Sequence, residues 1–238
     1  MQIEILQLTE GARKAKGTTV VIDVFRAFST ACYLAAAGAS RIIPVEQVEE
    51  AFQMKAMLPE AILLGERSEK KVEGFDYGNS PTHIFSNDFT GKTIIMTTSS
   101  GTKGLMNASG ASEILTGSFV NAGAIVRYLQ KTGPAWVSLV CMGYEGDRPT
   151  QEDTFLAEYV RDRILGLNPD FDRMKEILRT GDGARLLDPA NSTWSPARDF
   201  ELCLDLDRFN FNLRLGEEKI EHNNISHIVK VLTKVEVF

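Results

Sequence analysis

Apolar residues along this chain fall into short runs, and amphipathic stretches of helical period separate them. Residues 18–22 (TTVVI) and 93–97 (TIIMT) are β-branched and apolar runs of strand length, and residues 41–45, 61–64, 112–116 and 135–141 repeat the pattern. Ile3, Ile5 and Leu8 open an edge or first strand, and residues 11–17 read as a basic turn. Between the runs, residues 30–40 form an Ala-rich helix that stops at Gly38. Residues 47–58 place Val48, Ala51, Phe52 and Lys55 at helical spacing, and residues 121–131 and 150–165 predict two more helices. Strands alternating with helices in this way predict an α/β fold, its central sheet largely parallel or mixed, with helices on both faces.

The pattern loosens beyond Gly166. Residues 171–179 predict a helix, GDGA a break, and residues 196–204 a short helix. From Asn210 onward the sequence offers strand fragments, LRL and VEVF. No repeat or flexible linker divides the 238 residues, which read as one domain, with a subdivision near Gly117 left open.

Composition narrows the function classes. A formal net charge of −6 disfavours a nucleic-acid binder or a polybasic membrane-surface protein. The apolar runs are far too short to span a bilayer, and IEILQL after Met1 lacks the layout of a signal peptide. Three widely spaced cysteines, Cys32, Cys141 and Cys203, argue against a disulfide framework and for a cytoplasmic setting.

Four strand ends carry the candidate chemistry, where ligands of open α/β sheets bind. The first is VVIDVFRAFST. Asp23 suits a divalent metal, Arg26 an oxyanion, and Ser29 and Thr30 stand at the expected helix start. The second, GERSEKKVEGFDYGNSP, is an aperiodic loop anchored by Phe75, Tyr77 and Pro81, and it supplies Glu66, Arg67, Asp76, Asn79 and Ser80. The third, TTSSGT, places Thr98, Ser99, Ser100, Gly101 and Thr102 at a strand-to-helix turn suited to cradle a phosphate, without the Walker A spacing. The fourth, CMGYEGDRPTQED, runs from Cys141 into a helix with Thr150 as N-cap and Asp153 at the capping-box position. Glu152 shares the inward face of that helix with Phe155 and Leu156. Helix-dipole preference alone also places acids at such a start.

Two phosphatase signatures fail. Cys141 and Arg148 are one residue too far apart for a C-x5-R thiolate cradle, and Glu145 and Asp147 between them repel phosphate. DLDRF at residues 205–209 has Arg208 where an aspartate-nucleophile motif needs Thr or Val. His83, His222 and His227 form no zinc-type cluster.

Together, IDVFRAFST, GERSEKKVEGFDYGNSP, TTSSGT and CMGYEGDRPTQED resemble the phosphosulfolactate phosphatase family in order and spacing, over roughly residues 3–165. Ser100 stands where the resemblance leads one to expect Asn, and residues 68–71 are more charged than the expected loop. The resemblance implies a three-layer α/β/α fold and a magnesium-dependent phosphatase that converts 2-phosphosulfolactate to 3-sulfolactate, a step towards coenzyme M. On that basis Asp23, Glu152 and Asp153 are candidate Mg2+ ligands or water-activating carboxylates. Arg26 and Arg67 are candidate clamps on phosphoryl or sulfonate oxygens from two sides of one crevice. Ser29, Thr30, Asn79, Ser80, Cys141 and residues 98–102 are candidate substrate contacts, and Glu66 and Asp76 orienters or a general acid. The expected partner is a small anionic phosphorylated substrate, with oligomeric state open and a homodimer one option. The alternatives are a phosphatase for another small phosphorylated hydroxyacid, and a non-catalytic anion-binding or sensor domain.

Overall fold

The computed structural model describes residues 1–236 and shows the predicted alternation. In chain order it runs β1 (Gln2–Gln7), α1 (Leu8–Lys14), β2 (Gly17–Ile22), α2 (Ala27–Ala36), β3 (Arg41–Pro44), α3 (Val48–Met57), β4 (Ile62–Arg67) and β5 (Lys70–Lys71). There follow α4 (Pro81–Ile84), β6 (Thr93–Thr97), α5 (Gly101–Asn107), β7 (Ala111–Gly117), a 3-10 turn, α6 (Ala122–Thr132), β8 (Trp136–Cys141) and α7 (Gln151–Ile164). The last third is α8 (Phe171–Thr180), α9 (Ala184–Leu187), a second 3-10 turn, α10 (Arg198–Cys203), β9 (Phe211–His222) and β10 (Ile225–Glu236). Among the described residues no helix is long and apolar enough to cross a membrane.

Among the described residues ten strands join in the order β1-β8-β2-β7-β9-β10-β3-β6-β4-β5. Two parallel sets, β1-β8-β2-β7 and β3-β6-β4, are bridged by the antiparallel pair β9-β10. The bridge is narrow: β9 meets β7 at Arg214↔Leu115, and β10 meets β3 at Leu232↔Ile42. Three antiparallel pairings in succession, β7–β9, β9–β10 and β10–β3, reverse chain direction between the two sets.

Strand alternation sorts side chains into three cores. Val21, Ile42, Leu64, Ile94, Met96, Leu213 and Leu232 turn inward onto Phe28, Ala31 and Leu34 of α2, so both parallel sets share one core. Val20, Ile22, Leu115, Val137 and Leu139 turn the other way, onto α6 and α7 through Ile125, Leu129, Leu156 and Val160. Ile43, Leu63 and Ile95 pack outward with Ala51 of α3 and with Val229 and Val231 of the hairpin. Helices on both faces of a mixed, mostly parallel sheet give the expected three-layer α/β/α architecture.

One expectation fails and another is extended. The basic turn at residues 11–17 is mostly helix α1, with Glu10 in its first turn and Arg13 and Lys14 in its last, each matched to the helix dipole. Gly11 serves packing there, since a Cβ would meet that of Leu6 at 2.9 Å. LRL and VEVF are parts of two twelve-residue strands. Val235 and Glu236 belong to β10, and the last two residues of VEVF lie outside the described residues. Asn223 and Asn224, both at positive φ, make the tight turn between these strands.

The narrow bridge makes Leu232 critical. Leu232→Ala should lower the unfolding free energy by about 2–5 kcal/mol, whereas Ile228→Ala, at a side chain 66% exposed, should change it by less than about 0.5 kcal/mol. Urea denaturation of both variants checks this; equal effects would show that the hairpin does not carry the junction.

Candidate active site

Strand ends from both parallel sets open into one cleft. Asp23, Phe25, Arg26, Glu66, Glu69, Asn79, Ser99, Ser100, Gly143, Tyr144, Glu145 and Arg185 line it. Asp23 follows the buried run of β2 and caps α2, its Oδ1 accepting the Ala27 amide at 3.1 Å. From the second set, Gly101 comes so close that a Cβ would lie 2.9 Å from Asp23 Oδ2 and 2.8 Å from Ala27 Cβ. The Ser100 hydroxyl donates to the Gly143 carbonyl at 2.8 Å, which joins the ends of β6 and β8.

Behind Asp23 lie the two acids of α7. Asp153 accepts the Val24 amide on Oδ1 at 2.9 Å and the Gly143 amide on Oδ2 at 2.8 Å, so it ties the tips of β2 and β8 together. Gly143 presents its amide from φ +64, and a Cβ there would sit 2.2 Å from the Arg148 carbonyl. The expected Thr150–Asp153 capping box is therefore absent. Thr150 makes no cap bond, and Asp182 Oδ2 takes the Gln151 amide at 2.9 Å instead. Glu152, 2% exposed, faces inward as the helical spacing predicts. Its Oε1 accepts from Arg185 Nη2 at 3.1 Å, while its buried Oε2 has no hydrogen-bond partner among the described residues.

Burial pushes the Asp23 carboxyl up to about 7; the Ala27 amide opposes the shift, and Glu66 and Glu152 add to it. Burial likewise raises Glu152 against the pull of Arg185, and it raises Asp153 well above the carboxylate range with help from Asp23 and Glu152. Burial works against the charge of Arg185, but Glu152 and Glu69 outweigh it and hold the guanidinium protonated.

Arg26 is almost fully buried. Its Nη1 donates to the Trp194 carbonyl at 2.7 Å and to Asp199 Oδ2 at 2.9 Å, and its Nη2 to the Glu69 carbonyl at 3.1 Å. Arg67 does not share this cleft, which corrects the two-sided clamp. It donates to the carbonyls of Glu66 and Glu46 and to Thr97 Oγ1, all within 2.8 Å, and lines a neighbouring recess with Lys103. As part of β4 its side chain is spent on bracing strand ends.

The phosphate cradle is also corrected. The Ser99 amide and hydroxyl hold the Glu66 carboxylate, at 2.6 and 3.1 Å, and the Glu69 amide joins at 2.8 Å. Thr98 and Thr102 bond each other reciprocally at 3.0–3.1 Å. The anion already in the cradle is thus the protein's own Glu66.

Other expected contacts lie elsewhere. The helix begins at Ala27, so Ser29 and Thr30 fall inside it, fully buried, with the Ser29 hydroxyl on the Val24 carbonyl at 2.7 Å. Asp76 is exposed and accepts the Leu63 amide, outside the cleft. The Ser80 hydroxyl serves Asp199 at 2.8 Å, whereas Asn79 does reach the cleft. Cys141 is buried and donates to the Asp153 carbonyl, its thiol pushed well up by burial and then by Asp153.

Sequence reasoning missed Glu69, Tyr144, Glu145, Arg185 and Asp199. Glu69 sits with Ser68 in a two-residue turn between β4 and β5, both at positive φ without the Gly or Asn that usually marks such turns. Arg185 had one signal, its place just after the GDGA break, where a turn delivers a side chain.

A family model described as 2-phosphosulpholactate phosphatase matches residues 3–212. A protein of Caldicellulosiruptor saccharolyticus named "Probable 2-phosphosulfolactate phosphatase" is 41% identical over 63% of this chain, and the match covers 64% of that protein's length, just under two thirds. One of the same name from Caldanaerobacter subterraneus is 32% identical over 80% of this chain and 84% of its own. A third, from Carboxydothermus hydrogenoformans, is 43% identical over 55% of each.

The Asp23 carboxyl gives a pH signature. With a folded value of about 7 against an ordinary 3.8, the folded state holds the proton more tightly, so a stability penalty grows above about pH 4 and is complete above about pH 7. Asp23→Asn keeps the cap acceptor and removes the charge. It should raise Tm more at pH 8 than at pH 5, by calorimetry in metal-free buffer. The same gain at both pH values would mean that burial does not hold a proton on Asp23.

Proposed function

Because the chain belongs to the 2-phosphosulpholactate phosphatase family, we propose that it hydrolyses 2-phosphosulfolactate to 3-sulfolactate and phosphate with the help of Mg2+. One observation carries the reading. The cleft sets Asp23, Glu66, Glu69 and Glu145 against Arg26 and Arg185, whose guanidinium groups already face acids. Such a surface repels a phosphorylated acid unless a cation joins it.

The residues fit that cation. Glu152 Oε2 is buried and takes no hydrogen bond among the described residues, and the carboxyls of Glu152 and Asp23 are both pushed towards protonation by burial. Magnesium is commonly held by one or two carboxylates, with water and substrate phosphate completing six positions. Asp153, with an amide on each oxygen, serves as the brace behind Asp23 and Glu152. When bound, the ion would neutralise phosphoryl charge and activate water.

The chain's own residues bind and orient. Phosphoryl transfer demands mainly positioning and electrostatics, so Arg26 fixed at the cleft wall holds the phosphoryl oxygens. Arg185 bridges Glu152 and Glu69, and Glu66 holds the Ser99 turn and the Glu69 turn in register. Asn79 offers an amide whose Oδ1 is buried without a partner. Three buried free cysteines support a reducing, cytoplasmic setting.

Phosphate release from 2-phosphosulfolactate, phospholactate and an uncharged phosphate monoester, with and without magnesium, tests this. Turnover of the first, lost on chelation, is expected. Turnover of another acid in its place would move the substrate to a different phosphorylated hydroxyacid, and binding without turnover would favour an anion receptor. Arg26→Lys should lower kcat/KM by about 10²-fold and Arg67→Lys by less than about fivefold, because Lys cannot reproduce planar donor contacts at the cleft wall. Equal losses would return Arg67 to the site. Cys141→Ser should keep most turnover, since the thiol is buried and held protonated; a trapped phosphocysteine would reverse that conclusion.

A further inference from the structure

We propose that Asp199, in the short helix α10, is the positioning residue that aims Arg26 at the phosphoryl oxygens; this rests on the phosphatase reading above. Asp199 is fully buried, and both its oxygens are committed. Oδ2 accepts from Arg26 Nη1 at 2.9 Å, while Oδ1 accepts the Ser80 hydroxyl at 2.8 Å and the Thr82 amide at 3.0 Å. The carboxylate is therefore fixed before Arg26 meets it. Within the GNSP stretch that is conspicuous in the sequence, Ser80 does its work by holding Asp199, while Asn79 faces the cleft.

Donor chemistry shows what this achieves. A guanidinium has five N–H groups. In Arg26 the two on Nη1 go to Asp199 and the Trp194 carbonyl, and one on Nη2 goes to the Glu69 carbonyl. The Nε hydrogen and the second Nη2 hydrogen have no acceptor among the described residues. They are donors on adjacent nitrogens of a group that lines the cleft, and two oxygens of a phosphoryl group match that spacing.

Without Asp199 the arginine has rival acids. Asp23, Glu66, Glu69 and Glu145 all line the same cleft and would draw the guanidinium across it. A buried, pre-bonded carboxylate on the far side outcompetes them and leaves the two free donors facing substrate. A buried ion pair of this kind seldom adds net stability over an apolar pair, so its value lies in direction.

The test is a double-mutant cycle of Arg26→Gln and Asp199→Asn, read as kcat and KM for 2-phosphosulfolactate with magnesium. If Asp199 acts through Arg26, each single change should lower kcat/KM by at least about 30-fold, and the double variant should fall within about threefold of Arg26→Gln alone. In Asp199→Asn the loss should lie in kcat, with KM within about threefold, because the charge of Arg26 remains. The double variant should also melt above either single variant, since neither charge is stranded. Multiplying losses, or full kcat per folded molecule in Asp199→Asn, would overturn the proposal. If the wild-type protein releases phosphate from no ester, the phosphatase reading fails. Calorimetric binding of inorganic phosphate to the same four proteins then decides the pair: coupling of about tenfold or more upholds it, and independent effects reject it.

Discussion

Three carboxylates, Asp23, Glu152 and Asp153, share a space almost without water, and their mutual repulsion must be met by something fixed. The protein meets it with backbone amides and one guanidinium. Val24 and Gly143 serve Asp153, Ala27 serves Asp23, and Arg185 serves Glu152. The partners come from three segments, the β2–α2 junction, the turn after β8 and α9, so the need to hold these charges sets the entry of α2, the start of α7, the turn after β8 and the place of α9. Removing acid–acid strain by apolar substitution would loosen all four at once.

The second consequence is a division of labour between the parallel sets. β2 and β8 bring the acids, and β4 and β6 bring Glu66 and the Ser99 turn. Their tips meet although the bridging hairpin reverses strand direction between them. The shared core on α2 explains how: strands of both sets present one face to the same helix, and sheet twist accumulates across the intervening pairs. Arg26 starts in the loop of the first set and takes its acceptors from the β4–β5 turn, from Trp194 before α10 and from Asp199 within α10. The cleft is thus assembled from segments remote in sequence.

What the sequence revealed follows from this geometry. Buried parallel strands are continuous apolar runs, so 93–97 matches β6 and 18–22 falls within β2, and the residues just beyond each run are the strand tips. Asp23, Glu66 and Ser99 were legible for that reason, and Asn79 because it stands in an aperiodic loop with apolar anchors. The hairpin was not, because its strands are half-exposed and long polar stretches such as EEK interrupt the alternation. Its one clear mark was the Asn223–Asn224 pair. Arg67 and Asp76 misled because composition shows that a charge stands near a tip but not which way it turns. Arg67 turned to strand-end carbonyls and Asp76 to a backbone amide. Arg185 and Asp199 lie where no period exists, and only their partners across the cleft give them meaning.

The hairpin also orders events at the ribosome. Everything it joins is translated before it, so β7 and β3 emerge as edges with no neighbour on one side, while their apolar faces are already made. Such edges invite pairing with other nascent chains. The sheet becomes continuous only when residues 211–236 arrive, and until then the two banks of the cleft are linked through the shared core on α2 and not through strand pairing. A chain that stalls short of the hairpin would hold every residue that lines the cleft and lack the strands that pair its two banks.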